Sequence, residues 1–177
     1  MDKILSSTGF RVTVIDGIEE NRLMYMAVTD ILKKEDVKFG SEDTVILEVG
    51  GGSTEMMLMK KGRMVGAHSL RLGTVRLESK MKSSAEPLTD VRSYIEEYTA
   101  ETKGSIESEI DFSEVQRFIA VGSDATLVAI NAGKPISTFL WSIDRAAFDS
   151  FVDEIQEYSV DECVARFKIS YNDAQAM

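Results

Sequence analysis

Hydrophobic and polar positions change period several times along this chain, and each change marks an element. Phe10-Arg-Val-Thr-Val-Ile15 alternates apolar and polar residues of β-branched type, the pattern of a short strand. Asp16 follows at a helix-capping position, with Glu19 three residues on where a capping box places its acid. A period near 3.6 then predicts a helix running to about Lys34. Its rows separate two adjacent acids. Glu20 falls in line with Met24, Ala27 and Ile31, whereas Glu19 shares a face with Arg22, Leu23 and Met26. Glu19 is therefore expected to cap the helix, and Glu20 to point toward whatever the helix packs on.

Residues 33–43 are charged and predict a loop. Strands follow at about 44–49, 54–60 and 63–70, the last two joined by a hairpin turn at Lys60-Lys-Gly-Arg63. Residues 72–82 predict a short helix that ends in a basic loop, Lys80-Met-Lys-Ser-Ser84. Pro87 sits at a helix start, and Leu88, Val91, Ile95 and Tyr98 give that helix an apolar face. A polar stretch from Thr99 to Ser113 leads to a strand, Val115-Gln-Arg-Phe-Ile-Ala-Val121, then to a turn and a helix at about 125–132. Phe148, Phe151, Val152, Ile155 and Tyr158 mark a helix after Asp144, and Ser159 with Glu162 caps a last short one. No internal repeat and no low-complexity linker interrupts this order. Residues 1–177 therefore read as a single α/β domain, a mixed sheet with flanking helices.

Composition narrows the class. With 177 residues, 44% of them hydrophobic, and a mean hydropathy of −0.10, the chain can bury one ordinary core. A net charge of −10 and a pI near 4.7 argue against a nucleic-acid or membrane surface. They also mean that a polyanionic ligand needs local cations or a metal. No apolar run reaches the length of a membrane span, and no secretory leader is recognised. The single cysteine, Cys163, excludes an internal disulfide and fits a reducing compartment, so a cytoplasmic protein is expected. Cys163 lies on an amphipathic helix and is predicted buried and inert. His68, the sole histidine, has no partner at metal-ligand spacing and reads as structural. Met24, Met26, Met56, Met57 and Met59 read as core filler.

The chemistry concentrates in Thr44-Val-Ile-Leu-Glu-Val-Gly-Gly-Gly-Ser-Thr-Glu-Met-Met-Leu-Met59. Gly50, Gly51 and Gly52 forfeit backbone order, at about 1 kcal/mol each relative to alanine in regular structure. Their N–H groups, with the Ser53 and Thr54 hydroxyls beside them, suit phosphate oxygens. From the glycines alone, a plain hairpin and a phosphate cradle are equally good readings. The flanking acids shift the balance: Glu48 interrupts an apolar run and Glu55 follows the turn, an arrangement that suits a divalent metal or an oriented water.

Val45-Ile-Leu-Glu-Val-Gly-Gly-Gly-Ser-Thr-Glu55 resembles the signature block of the exopolyphosphatase / guanosine-pentaphosphate phosphatase family. Ser69-Leu-Arg-Leu-Gly-Thr-Val-Arg-Leu77 is similar to the family's next block. Gly17-Ile-Glu-Glu-Asn-Arg-Leu23 and Val121-Gly-Ser-Asp-Ala-Thr126 fall in family order on either side. The resemblance implies a ribonuclease-H-like half-domain of the actin/hexokinase superfamily. It also implies Mg²⁺-dependent hydrolysis of the terminal phosphoanhydride of inorganic polyphosphate or guanosine pentaphosphate (pppGpp). Glu20 then matches the base, and Glu55 the acid that works with it on water or metal. Glu48 stands at the position of a metal-binding aspartate. Gly50, Gly51, Gly52, Ser53 and Thr54 match one phosphate loop, and Gly122, Ser123 and Thr126 a second. Arg71 and Arg76 read either as solvated charges or as contacts to the polyanion.

The family's first phosphate loop belongs to an N-terminal half that the resemblance makes the natural partner of this chain. The chain also stops where the family continues into another helix and strand. An excised domain is expected, able to fold but inactive alone, with a homodimer left open. Three departures matter: Glu48 is one methylene longer than aspartate, Asn21 replaces a small residue, and Asp124 with Ala125 stands where small or glycine residues are usual. An acid in a phosphate loop repels phosphate unless it holds a metal. The departures keep a second reading open, a catalytically weak regulatory module that binds phosphate or nucleotide. A sugar or acetate kinase of the same superfamily fits the glycine block less well.

Overall fold

The computed structural model describes residues 2–38, 40–83, 91–107 and 111–176. Its centre is a four-stranded mixed sheet. Strands β1 (Thr44–Val49), β2 (Thr54–Lys60) and β3 (Arg63–Leu70) form an antiparallel meander. Strand β4 (Arg117–Val121) adds parallel to β1, giving the order β3-β2-β1-β4. The meander is tight where the sequence predicts it: Lys61 and Gly62 both take positive φ, 47° and 76°, as a type I′ hairpin requires.

Both faces of the sheet are covered, which is why its central strands read as near-continuous apolar runs. Ile46, Met57 and Met59 turn to one face and pack under Met24, Val28 and Leu32 of helix α2 (Gly17–Lys34). Val45 and Leu58 turn to the other and meet Ile106 of helix α4 (Val91–Ile106), with Phe112 and Val115 beside them. Burial of each large side chain in this sandwich stabilises the fold by roughly 1.5–3 kcal/mol. The sheet and its two helical layers are those of the expected ribonuclease-H-like half-domain.

Asp16 caps α2, its Oδ1 accepting the Glu19 amide at 2.9 Å. The Glu19 carboxylate does not return to the cap; it accepts from the Arg22 guanidinium at 2.6 and 2.7 Å. The buried stripe of α2 is Asn21, Met24, Val28 and Leu32, one position round from the expected Glu20–Met24–Ala27–Ile31 row. Val28 and Leu32 offer more apolar surface than Ala27, so packing selects their stripe. Glu20 is left exposed beside Asn21, and Met26 faces solvent rather than the core.

Other boundaries differ for tertiary reasons. Residues 10–15 are extended but form no strand, and Phe10 and Val14 are about three quarters exposed at 74% and 76%. Alternation supplies β-propensity, but a strand exists only against a neighbour, and none is paired with it among the described residues. The expected basic loop is instead the last turn of helix α3 (Thr74–Ser83), because Lys and Met are good helix formers and nothing breaks the run. Ser84, Pro87 and Leu88 lie outside the described residues. The polar stretch after Thr99 continues α4 to Ile106, which is buried against the sheet and anchors the helix end. Strand β4 starts at Arg117, two residues late, and helix α5 (Ser123–Ala132) starts two residues early.

Helix α1 (Asp2–Thr8), helix α8 (Tyr171–Ala176) and the two-residue strands β5 (Lys134–Pro135) and β6 (Trp141–Ser142) carry too short a pattern to be foreseen. Helices α6 (Arg145–Gln156) and α7 (Val160–Phe167) begin on the expected caps. Asp144 accepts the Ala147 amide, and Ser159 forms a full capping box with Glu162. Cys163 is buried on α7, and burial pushes its thiol up, which keeps it protonated and unreactive. Among the described residues, no helix is long and apolar enough to cross a membrane.

Candidate active site

One row of register partners crosses the sheet near its upper end: Val121 on β4, Glu48 on β1, Glu55 on β2 and Ser69 on β3. The row lies two residues beyond Ile46 and Met57, so it belongs to the face covered by α2. Apolar packing stops here and carboxylates begin. Asn21, the first buried residue of α2, sits against Glu55, and this brings its neighbour Glu20 to the same place.

The acids are held differently. Glu55 is buried, and both its oxygens are occupied. Oε1 accepts from the Ser53 hydroxyl at 2.9 Å and the Ser69 hydroxyl at 2.7 Å, and Oε2 accepts from Asn21 Nδ2 at 3.2 Å. Glu48 has no such donors among the described residues. Burial pushes its carboxyl up, and the charges of Glu20 and Glu55 add to the effect. Three acids thus share one neighbourhood, one clamped and one strained by its neighbours' charge.

Between Glu48 and Glu55 the chain turns on Gly50, whose amide donates to Ser53 O at 2.8 Å. The carbonyls of this turn are bound from the side of α3. Thr74 N donates to Gly50 O and Arg76 N to Gly51 O, both at 3.1 Å, and Arg76 Nε reaches Gly52 O at 3.1 Å. In a trans peptide the N–H lies opposite the preceding C=O, so the amides of Gly51, Gly52 and Ser53 point away from α3. None of these three donates to an acceptor among the described residues. An open cleft of about 720 Å³ lies beside the turn, lined by Gly51, Gly52, Val75, Arg76, Ser79 and Lys80.

Several side chains picked from sequence have internal partners. The Thr54 hydroxyl is buried and donates to Leu72 O at 2.6 Å, closing the turn against the segment before α3. Arg76 braces the turn, while Arg71 is simply exposed. Gly122 leaves β4 with φ of 116° and starts α5, close to Glu48: a Cβ built there would lie 4.0 Å from Glu48 Cγ. Ser123 follows, exposed, but the Thr126 hydroxyl folds back onto Gly122 O at 2.8 Å. Asp124 stands in the first turn of α5, where the helix dipole favours an acid.

Three contributors escaped the sequence reading. Asn21 and Ser69 clamp Glu55 from 34 and 14 residues away, and no local pattern announces such pairs. Gly73 is the third. A Cβ there would stand 2.5 Å from Gly51 O, so only glycine lets α3 reach the turn. The Leu-Gly-Thr step at residues 72–74 was the available signal.

The donor set is one of hard oxygens, which suits Mg²⁺ or Ca²⁺ rather than a softer metal. Among the described residues no three acidic, histidine or cysteine side chains close into a cage. Mg²⁺ does not need such a cage, because it keeps several waters and is bound through one or two carboxylates plus substrate phosphate. Glu48, crowded by like charge and without donors, is the acid that would hold it. Glu55, with both oxygens engaged, is less suited to direct ligation than the sequence suggests.

No curated protein matches the chain. Among solved structures, an exopolyphosphatase from Cytophaga hutchinsonii is similar with a TM-score of 0.77 and 18% identity, over 99% of this chain and 57% of that one. A Ppx/GppA family member from Aquifex aeolicus gives 0.67 at 18% identity, over 99% and 56%. An exopolyphosphatase-like protein gives 0.71 at 21% identity, again over 99% and 56%. The TM-scores establish the shared fold, and the chain spans just over half the length of each relative. The sequence model of the Ppx/GppA phosphatase family matches residues 1–173, a span that takes in the acids of α2, the glycine turn, the Gly73 step and the Gly122 loop; the chain belongs to that family.

Proposed function

We propose that this chain is the glycine-turn half of a Mg²⁺-dependent phosphatase that removes the terminal phosphoryl group of inorganic polyphosphate or pppGpp. The observation that carries the reading is the glycine turn itself: its carbonyls are bound toward α3, its amides are open, and three acids stand at its base. Phosphoryl transfer asks mainly for positioning and charge neutralisation. The amides of Gly51, Gly52 and Ser53 would take the oxygens of the transferred group. Glu20, exposed at the start of α2, would accept the proton of the attacking water, and the clamped Glu55 would orient that water. Mg²⁺, when bound at Glu48, would neutralise the phosphate oxygens. Gly122 and Ser123 would supply further contacts at the mouth of the site.

The other half of the clamp would come from an N-terminal half-domain, as the family resemblance implies. Exposed Phe10, Val14 and Ile18 (the last 81% exposed) favour this, because they offer β-patterned and apolar surface left uncovered among the described residues. Positioning is worth effective molarities on the order of 10⁵ M or more, so half a clamp binds phosphate but does not turn over. The test is phosphate release from long-chain polyphosphate and from pppGpp, with Mg²⁺, by this chain and by the chain joined to such a half. Activity is expected only for the joined protein, and to be lost in Glu20→Gln. Robust turnover by this chain alone would overturn the half-site reading.

Asp124 favours a second reading, a module that binds phosphate or nucleotide for regulation. Its carboxylate stands where a second phosphate loop would want none. A joined protein that binds pppGpp but releases no phosphate would select it.

A further inference from the structure

One buried side-chain polar atom among the described residues has no hydrogen-bond partner: Oδ1 of Asn21. The side chain is 7% exposed and lies between α2 and the acid row. Rotating the amide does not remove the orphan. Nδ2 faces Glu55 Oε2 at 3.2 Å, and a flip would set an oxygen against a carboxylate oxygen. A buried acceptor left bare costs about 1–3 kcal/mol, so such an atom in a packed helix face calls for a donor from outside the chain. The surroundings are polar, with Glu55 in direct contact and Glu20 one residue before. Water is the donor that fits.

Resting on the active-site reading above, we infer that Asn21 is a positioning residue of the cation site: Nδ2 fixes Glu55, and Oδ1 holds a water that belongs to the site. The two ends of one amide then tie the start of α2 to the acid row. Glu55 cannot rotate without breaking bonds to Ser53, Ser69 and Asn21. A water held there would act as an outer-shell partner of a cation bound at the acid row.

The test uses Mn²⁺ alone as the probe, titrated calorimetrically or by electron paramagnetic resonance into wild type, Asn21→Leu and Asn21→Ala. Asn21→Leu keeps the branched shape and removes both polar ends, and Asn21→Ala removes them without adding bulk. Asn131→Ala, an exposed amide on α5 bonded to Leu127 O, serves as the control. Outer-shell changes elsewhere cost about 10–100-fold in metal affinity, and a loss of that size is expected for both Asn21 variants with none for the control. Circular dichroism and urea titration establish that each variant is folded. If Asn21 merely fills space, Asn21→Leu binds Mn²⁺ as wild type does, and the inference is overturned. Absence of Mn²⁺ binding in wild type overturns the cation reading as well, so the two failures are told apart.

Discussion

Two loops leave the same end of the sheet, one after β1 and one after β4, and they are stabilised in opposite ways. The glycine turn is held from outside, its three carbonyls bound by α3 and Arg76 and its place set by the bare Cα of Gly73. The loop at Gly122 is held from within. A φ of 116° and the first hydrogen bonds of α5 define it, and a Cβ there would meet nothing closer than 3.9 Å. A turn built the first way cannot relax without moving a helix. One built the second way depends on a single dihedral angle.

Substitution of the two glycines should separate these mechanisms. Gly73→Ala forces a Cβ into backbone atoms, and overpacking against backbone predicts a loss of about 3 kcal/mol in urea denaturation. Gly122→Ala pays only for its dihedral, about 2 kcal/mol or less. If Gly73→Ala proves the milder of the two, the turn is not fixed by α3.

A smaller effect is expected from Glu48→Gln. Like charges directly opposite on neighbouring strands cost about 0.2–1 kcal/mol, so the variant should be more stable than wild type at neutral pH. The sign follows from linkage. Glu48 has its carboxyl raised on folding, so its contribution is present when protonated and is lost as pH rises through the folded value. The advantage of Glu48→Gln should therefore grow from mildly acid to neutral pH and reverse when Mg²⁺ is added. A pH-independent difference would mean that neither burial nor its acidic neighbours raise the Glu48 carboxyl.

The smallest effect belongs to Asp124→Asn. Removing the charge from the second loop should tighten orthophosphate binding by about two- to threefold, the scale of one surface ion pair. No change would place Asp124 outside the reach of the anion.

Much of this architecture is legible in the sequence because its signals are local. Asp16, Asp144 and Ser159 announce their helices, Lys61-Gly62 announces the hairpin, and Glu48 and Glu55 stand out by interrupting apolar runs. What escaped is set by distant partners. Residues 10–15 alternate like a strand yet have no neighbour to pair with. Thr99 to Ile106 looks like a polar connection until Ile106 is seen under Val45 and Leu58. Within the site, residue type foretold the acids but not the use of the hydroxyls. Thr54 closes the turn on Leu72 O, eighteen residues on, whereas Ser53 and Thr126 turn to Glu55 and Gly122 O, two and four residues away, local choices that residue type alone does not decide.

The strand order also sets the timing of folding. The meander from β1 to β3 needs only two short turns, whereas β4 must close a loop of tens of residues before it can pair with β1. The hairpins should form first and β4 should dock late, so the glycine turn would exist before its counterpart at Gly122 arrives. Conservative truncations at Leu58 should then slow folding, while those at Ile119 should mainly speed unfolding, a difference that stopped-flow chevrons would show.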